Sequence, residues 1–260
     1  MKVGYLQFKP KFGDTKFNLD KIEELSSGAK MDILVLPELC TTGYLFLESD
    51  NLDDFAETLN GPTINRLSSL AEKLDAAIVA GFFEKAGDKY FNSQAFIKPD
   101  GKIHVYRKIH LFNREKIFFK PGDRPLEIIE FRGARVGLLI CFDWIFPEIY
   151  RKYAMLGADI ICHSTNLVLP YSQKASFARA VENRMFIALS NRTGKESRSS
   201  HEITFTGRSI IYSPRGDILA SSEEQNDDIK IVEIDYELAR NKWITEKNHL
   251  LNDRRPEFYL

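Results

Sequence analysis

Apolar residues along the first hundred positions recur at two spacings, and the changes of spacing mark the elements. Lys2 to Phe8 (KVGYLQF) alternates as a half-buried strand does, whereas Leu19, Ile22 and Leu25 fall three apart and put one apolar stripe on a helix over 18–27. Gly28 suits the end of that helix. Asp32 to Leu36 (DILVL) is almost continuously apolar, the pattern of a strand covered on both faces, so strand, helix and strand in succession predict a buried parallel pair. Pro62 opens a second helix whose inward face is Ile64, Leu67, Leu70, Ala71 and Leu74. Strands at 76–83, 90–97 and 103–106, separated by Gly87-Asp88 and Pro99-Asp100-Gly101, then read as an antiparallel meander.

The second half uses the same two spacings. Strands at 126–131 and 134–140 are joined at Arg132-Gly133, a helix starts at Pro147, a short apolar strand covers 159–162, a helix follows Ser172, and a strand covers 185–191. Antiparallel candidates at 203–206, 208–213, 217–221 and 229–234 are divided by Gly207, Pro214-Arg215-Gly216 and an acidic run. The polar stretch 243–260 reads as a C-terminal arm. With roughly a dozen strands, many needing cover on both faces, two mixed sheets stacked face to face with helices outside satisfy the pattern best. A single doubly wound sheet accommodates the hairpins poorly. No linker, low-complexity tract or short repeat interrupts the chain, so the expectation is one α/β domain over 1–260.

Composition narrows the class of partner. Hydrophobic residues make up 43% of the 260, charged residues 28%, and the formal net charge is -1, with no dense basic run to attract nucleic acid or an anionic membrane. No segment approaches a membrane span, and the charged N-terminus lacks the apolar run of a secretory leader. The three cysteines, Cys40, Cys141 and Cys162, are odd in number and widely spaced. They predict a reducing, cytoplasmic setting, and no cluster stands at metal-ligand spacing.

Candidate chemistry lies where apolar strands run out. Cys141 ends the run from Val136 to Ile140, Glu38 follows DILVLP, and Lys108 follows the strand that ends near Tyr106. Strand ends fix the first atoms of variable loops, which is where α/β folds meet ligands. A carboxylate at the end of a buried strand is costly without a partner or a task. Each residue alone has a plainer reading: a packed thiol, a solvated acid, a snorkelling lysine.

Three segments change that balance. Leu36-Pro37-Glu38-Leu39 with Thr42-Gly43-Tyr44, then Tyr106 to Phe112 (YRKIHLF), then Gly137 to Glu148 (GLLICFDWIFPE), in this order, resemble the three signature blocks of the nitrilase superfamily of carbon-nitrogen hydrolases. The resemblance extends over essentially the whole chain. It implies a four-layer αββα sandwich that dimerises through one helical layer, and a triad of Glu38, Lys108 and Cys141, with a second acid at Glu115. The departures are Cys40, where the family often has an aromatic or apolar residue, and His163-Ser164-Thr165-Asn166, which lacks the proline or alanine often found there.

The residues themselves suit acyl transfer without metal or cofactor. A free thiol is only slightly ionised at neutral pH and needs a base, which Glu38 becomes once burial and the like charge of Glu115 strengthen its hold on a proton. Glu115 could also activate the hydrolytic water or position the leaving amine. The Lys108 ammonium and the backbone N–H of Phe142 can receive the oxyanion. Tyr44, Trp144, Phe146 and Asn166 are candidate pocket walls. His110 and His163, also near strand ends, could form a Cys-His pair instead, although His110 is read as a support for Lys108. The expected substrate is a small amide or N-carbamoyl amine, with a small nitrile as the alternative. A non-catalytic binding or assembly protein on the same fold is the alternative of another class.

Overall fold

The computed structural model describes residues 1–259; Leu260, the last residue of the predicted arm, lies outside the described residues. The elements run β1 (Lys2–Gln7), α1 (Thr15–Ser26), β2 (Ile33–Val35), α2 (Pro62–Leu74), β3 (Ala77–Ala86), β4 (Lys89–Ile97), β5 (Ile103–Arg107), α3 (Glu115–Phe118), β6 (Ile129–Phe131) and β7 (Ala134–Ile140). They continue with α4 (Pro147–Leu156), β8 (Ile160–Thr165), α5 (Ser172–Asn183), β9 (Phe186–Asn191), β10 (Lys195–Arg198), β11 (His201–Thr204), β12 (Ile210–Tyr212), β13 (Ile218–Ser221) and β14 (Asp228–Glu233). Among the described residues no helix is long and apolar enough to cross a membrane.

Two six-stranded mixed sheets result, ordered β14-β1-β2-β3-β4-β5 and β13-β12-β9-β8-β7-β6. Each has a parallel trio, β1-β2-β3 and β9-β8-β7, flanked by antiparallel strands. Residues of alternating parity enter different layers. Ile33 and Val35 join Val3, Tyr5, Val136, Leu138 and Ile161 in one apolar cluster. Leu34 and Leu36 instead meet Leu19 and Ile22 of α1 and Ile64 and Leu67 of α2 in another. Tyr150, Tyr153 and Ala154 of α4 and Ala180 of α5 pack with the first of these clusters. The result is the predicted four-layer sandwich. Fully burying each such Leu or Ile is worth roughly 1.5–3 kcal/mol, so both faces of both sheets must stay covered.

The differences from expectation are local. α1 begins at Thr15 because the Asp14 carboxylate accepts the N–H of Phe17 at 3.1 Å. β8 continues beyond Cys162 to Thr165 although its last residues are polar, and all of these are buried. Their hydroxyls explain this. Ser164 Oγ donates to the Leu36 carbonyl at 2.6 Å, so the end of β8 is stitched to the end of β2 across the sandwich. The hairpin β10–β11 forms a small separate sheet. Its largely exposed strands carry no apolar alternation, which is why the pattern offered no strand at 195–198.

Candidate active site

β2 ends at Val35, and the chain leaves the sheet through Pro37 and Glu38 while still bonded to β3: Leu36 N–H donates to Val79 O at 2.7 Å and Cys40 N–H to Gly81 O at 3.2 Å. The approach requires a glycine. A Cβ on Gly81 would lie 2.5 Å from both Glu38 Cα and Leu39 N. Lys108, one residue beyond β5, is fixed by its own backbone, with its N–H on Asn92 O at 2.9 Å and its carbonyl accepting from Gly122 N at 2.8 Å.

Three ionisable groups meet in this interior, and none touches bulk water appreciably. Lys108 Nζ lies 2.6 Å from Glu38 Oε1 and 2.8 Å from Glu115 Oε1, with lysine and Glu38 both wholly buried. Burial opposes the ammonium, but Glu115 and then Glu38 outweigh it and raise the Lys108 pKa above the ordinary lysine value. Glu38 Oε1 also accepts from Asn92 Nδ2 at 2.7 Å, while Glu38 Oε2 is buried with no partner among the described residues. Glu115, the first residue of α3, accepts from Tyr44 OH at 2.7 Å and from Phe112 N–H at 3.1 Å. Burial, opposed by Lys108 and reinforced by Glu38, raises its carboxyl pKa.

Cys141 follows a strand of the other sheet, near enough for the charges of Glu38, Lys108 and Glu115 to act on its thiol. It follows β7 directly, with φ at +39°, and begins a tight turn over Cys141–Ile145. That turn leaves the N–H of Phe142, near its start, without an acceptor inside the turn. Two buried groups hold the strained residue. The Asp143 carboxylate accepts from Ile140 N–H at 2.9 Å and Tyr106 OH at 2.8 Å, and His163 Nε2 donates to the Cys141 carbonyl at 3.1 Å. Burial, and then the charge of Glu38, push the thiol well above its ordinary pKa; Lys108 and the backbone N–H of Asn166 pull it back. The sulfur therefore rests as a neutral thiol.

The histidines are occupied elsewhere. Burial pushes His163 down to about 4, so its ring is neutral, and its Nδ1 accepts from Tyr150 OH at 3.2 Å. It serves the carbonyl of Cys141 rather than the sulfur. His110 does not support Lys108, as the strand reading suggested. It sits beyond the end of β5, pairs with Asp143 Oδ1 at 2.7 Å and stacks on Phe146 with ring centroids 3.8 Å apart. Cys40 and Cys162 are packed thiols, the first pushed up to about 12 by burial.

Of the expected pocket walls, Tyr44 bonds directly to Glu115, and Asn166, at the end of β8, is buried with both Oδ1 and Nδ2 unpartnered among the described residues. Trp144 packs in the apolar cluster between the layers and Phe146 on His110, so neither joins the hydrogen-bonded group. Sequence reasoning missed Asn92, Asp143 and Glu196, whose carboxylate accepts the N–H groups of Tyr44 and Leu45. Asn92 had a signal. With Gln94 it places two amide side chains on one face of the strand FNSQAFI, whose residues are all buried.

Comparison with known proteins agrees with this fold. The chain is 40% identical to a nitrilase of Pyrococcus abyssi, with 100% of this chain and 99% of that protein aligned. It is 34% identical to an (R)-stereoselective amidase of a Pseudomonas species over 98% of this chain and 92% of the relative. The crystal structure of a carbon-nitrogen hydrolase from Helicobacter pylori superposes with a TM-score of 0.88 at 28% identity, covering 100% and 96% of the two chains. The sequence model described as carbon-nitrogen hydrolase matches residues 2–242, and the chain belongs to that family.

Proposed function

We propose that this protein is a cysteine amidase acting on small uncharged carboxamides or N-carbamoyl amines, with Glu38, Lys108 and Cys141 as its catalytic triad. The observation that carries the reading is a buried ammonium shared by two carboxylates, with one carboxylate oxygen left unpartnered, close enough for these charges to act on the Cys141 thiol. Glu38 Oε2 takes the proton from Cys141 Sγ as the sulfur attacks the carbonyl carbon. The oxyanion forms against Lys108 Nζ and the Phe142 N–H, and a single such donor is typically worth about 3–4 kcal/mol of barrier. When the tetrahedral adduct collapses, the C–N bond breaks and Glu38 returns its proton to the departing nitrogen, leaving a thioester on Cys141. Water then attacks, giving a proton to Glu38 as it adds; the acid leaves, and the sulfur is protonated again. Glu115, tied to Lys108, Tyr44 and Phe112, holds the ammonium where the oxyanion forms.

An unpartnered acceptor favours an amide over a nitrile. With Glu38 Oε2 kept for the thiol proton, Asn166 Oδ1 matches an N–H of a carboxamide nitrogen, and a nitrile nitrogen has none to offer. Ammonia release from a panel of small amides, N-carbamoyl amines and nitriles tests this. Amides or carbamoyl amines should lead, and Asn166→Leu should lower their kcat/KM roughly 10- to 100-fold, since each buried group left unpaired costs about 1–3 kcal/mol. Nitriles outrunning both classes would make the protein a nitrilase.

The same reading gives a single hydrolase domain over 1–260 whose segment from Trp243 onward is a C-terminal arm. It also pairs two chains through the α4–α5 layer, where Met155, Leu156 and Phe177 expose large apolar side chains. A light-scattering mass of two chains is the expected result, and a mass of one chain would exclude that dimer.

A further inference from the structure

The loop from Gly43 to Asp50 carries Tyr44, whose hydroxyl reaches Glu115, and a second set of charges unused by the chemistry holds this loop from outside the sandwich. Its source is β9 and the hairpin β10–β11. Arg192, wholly buried just past β9, is ion-paired with Glu196 of β10, and its guanidinium lies 4.0 Å from the centroid of the Phe205 ring. Phe205 in turn meets the Tyr44 ring edge-on at 5.9 Å. Glu196, itself buried, spends its carboxylate on the loop backbone, accepting the N–H of Tyr44 at 3.1 Å and that of Leu45 at 2.8 Å. Two residues on, Arg198 grips Asp50 with both terminal nitrogens, at 2.5 and 2.8 Å, and donates to the Leu45 carbonyl at 3.1 Å. The hairpin therefore clamps both ends of the loop.

A buried Arg–Glu pair is expensive to desolvate and is weak evidence for stability, so its presence calls for a geometric reason. The connected bonds supply one. Glu196 fixes the backbone of Tyr44, the Tyr44 hydroxyl fixes Glu115, and Glu115 fixes the Lys108 ammonium. We propose that Glu196, with Arg192 and Arg198, is a positioning residue that sets Glu115 and Lys108 by clamping the Tyr44 loop. This rests on the amidase reading only for the role of Lys108; the clamp is tested on whichever panel substrate the wild-type protein hydrolyses best, so a wrong substrate class and a wrong clamp give different results.

The experiment is a double-mutant cycle of Glu196→Gln and Tyr44→Phe, with kcat and its pH profile measured at a temperature where circular dichroism finds all four proteins folded. Displacing a catalytic group by about 1 Å can cost on the order of 100-fold, so each single change should lower kcat roughly 10- to 100-fold. The double variant should fall no further than the worse single one, because both changes break one chain of contacts. The Tyr44 hydroxyl favours the ionised form of Glu115. Its withdrawal by either route should therefore move the acidic limb of kcat to higher pH. Arg198→Met, which spares the buried Arg192–Glu196 pair, gives a second test and should again be non-additive with Tyr44→Phe. Losses that multiply in the double variant, or an acidic limb that stays in place in Glu196→Gln and Arg198→Met while it moves in Tyr44→Phe, would overturn the clamp.

Discussion

Glu38→Gln is expected to lower kcat for a small amide about 10⁴-fold, the scale on which loss of one triad member acts, while leaving the chain folded. Glutamine has nearly the same shape and keeps an oxygen for Asn92 Nδ2 and Lys108 Nζ, which lie 2.7 and 2.6 Å from Glu38 Oε1. It cannot take a proton. The thiol it should serve is buried and held well above its ordinary pKa, chiefly by that burial, so almost none ionises without a base. Neither nearby histidine can replace it, since His163 is neutral and bonded to the Cys141 carbonyl and His110 is bonded to Asp143. Ammonia release at neutral pH with a circular dichroism control checks the effect, and a loss below tenfold would remove Glu38 from the chemistry.

The second large effect combines activity with stability. Lys108→Met leaves Glu38 and Glu115, both buried, without the cation they share, and breaking a buried pair in this way typically costs about 3–5 kcal/mol. The oxyanion also loses its charged donor, so turnover should fall at least about 10³-fold even where the protein remains folded. The stability deficit should depend on pH with a defined sign. With the ammonium gone, the folded state favours protonated carboxylates, so the proton is held more tightly in the folded chain than in the unfolded one. The deficit is therefore smallest below the unfolded carboxylate range and widens as pH rises toward neutrality. Denaturant melts of wild type and variant at pH 5 and pH 8 measure it. An equal deficit at both would mean that the carboxylates do not depend on Lys108.

How much of this was legible follows from which signals are local. The parallel trios and their helices showed in apolar spacing, because a strand covered on both faces is mostly apolar, as 33–36 is. Glu38, Lys108 and Cys141 stood out as candidates because each follows such a run, and the resemblance of three ordered segments selected them from other polar residues at strand ends. Their convergence was not local. It depends on Gly81 letting the chain at Glu38 lie against β3 and on Ser164 stitching the two sheets, contacts between residues far apart in the chain. Asn92, Asp143 and Glu196 were missed for the same reason, since each is defined by a partner that sequence spacing does not reveal. The hairpin β10–β11 lacked apolar alternation because its residues pair charges over a loop instead of filling a core.

One measurement reaches the central claim, that Glu38 turns a buried neutral thiol into a nucleophile. Wild type and Glu38→Gln are treated with iodoacetamide at neutral pH, and adducts are followed by intact mass and peptide mapping. The account predicts a single adduct on Cys141, because Cys40 and Cys162 are wholly buried, and formation at least about 100-fold slower in Glu38→Gln. Equal rates in the two proteins, or an adduct on another cysteine, would contradict it.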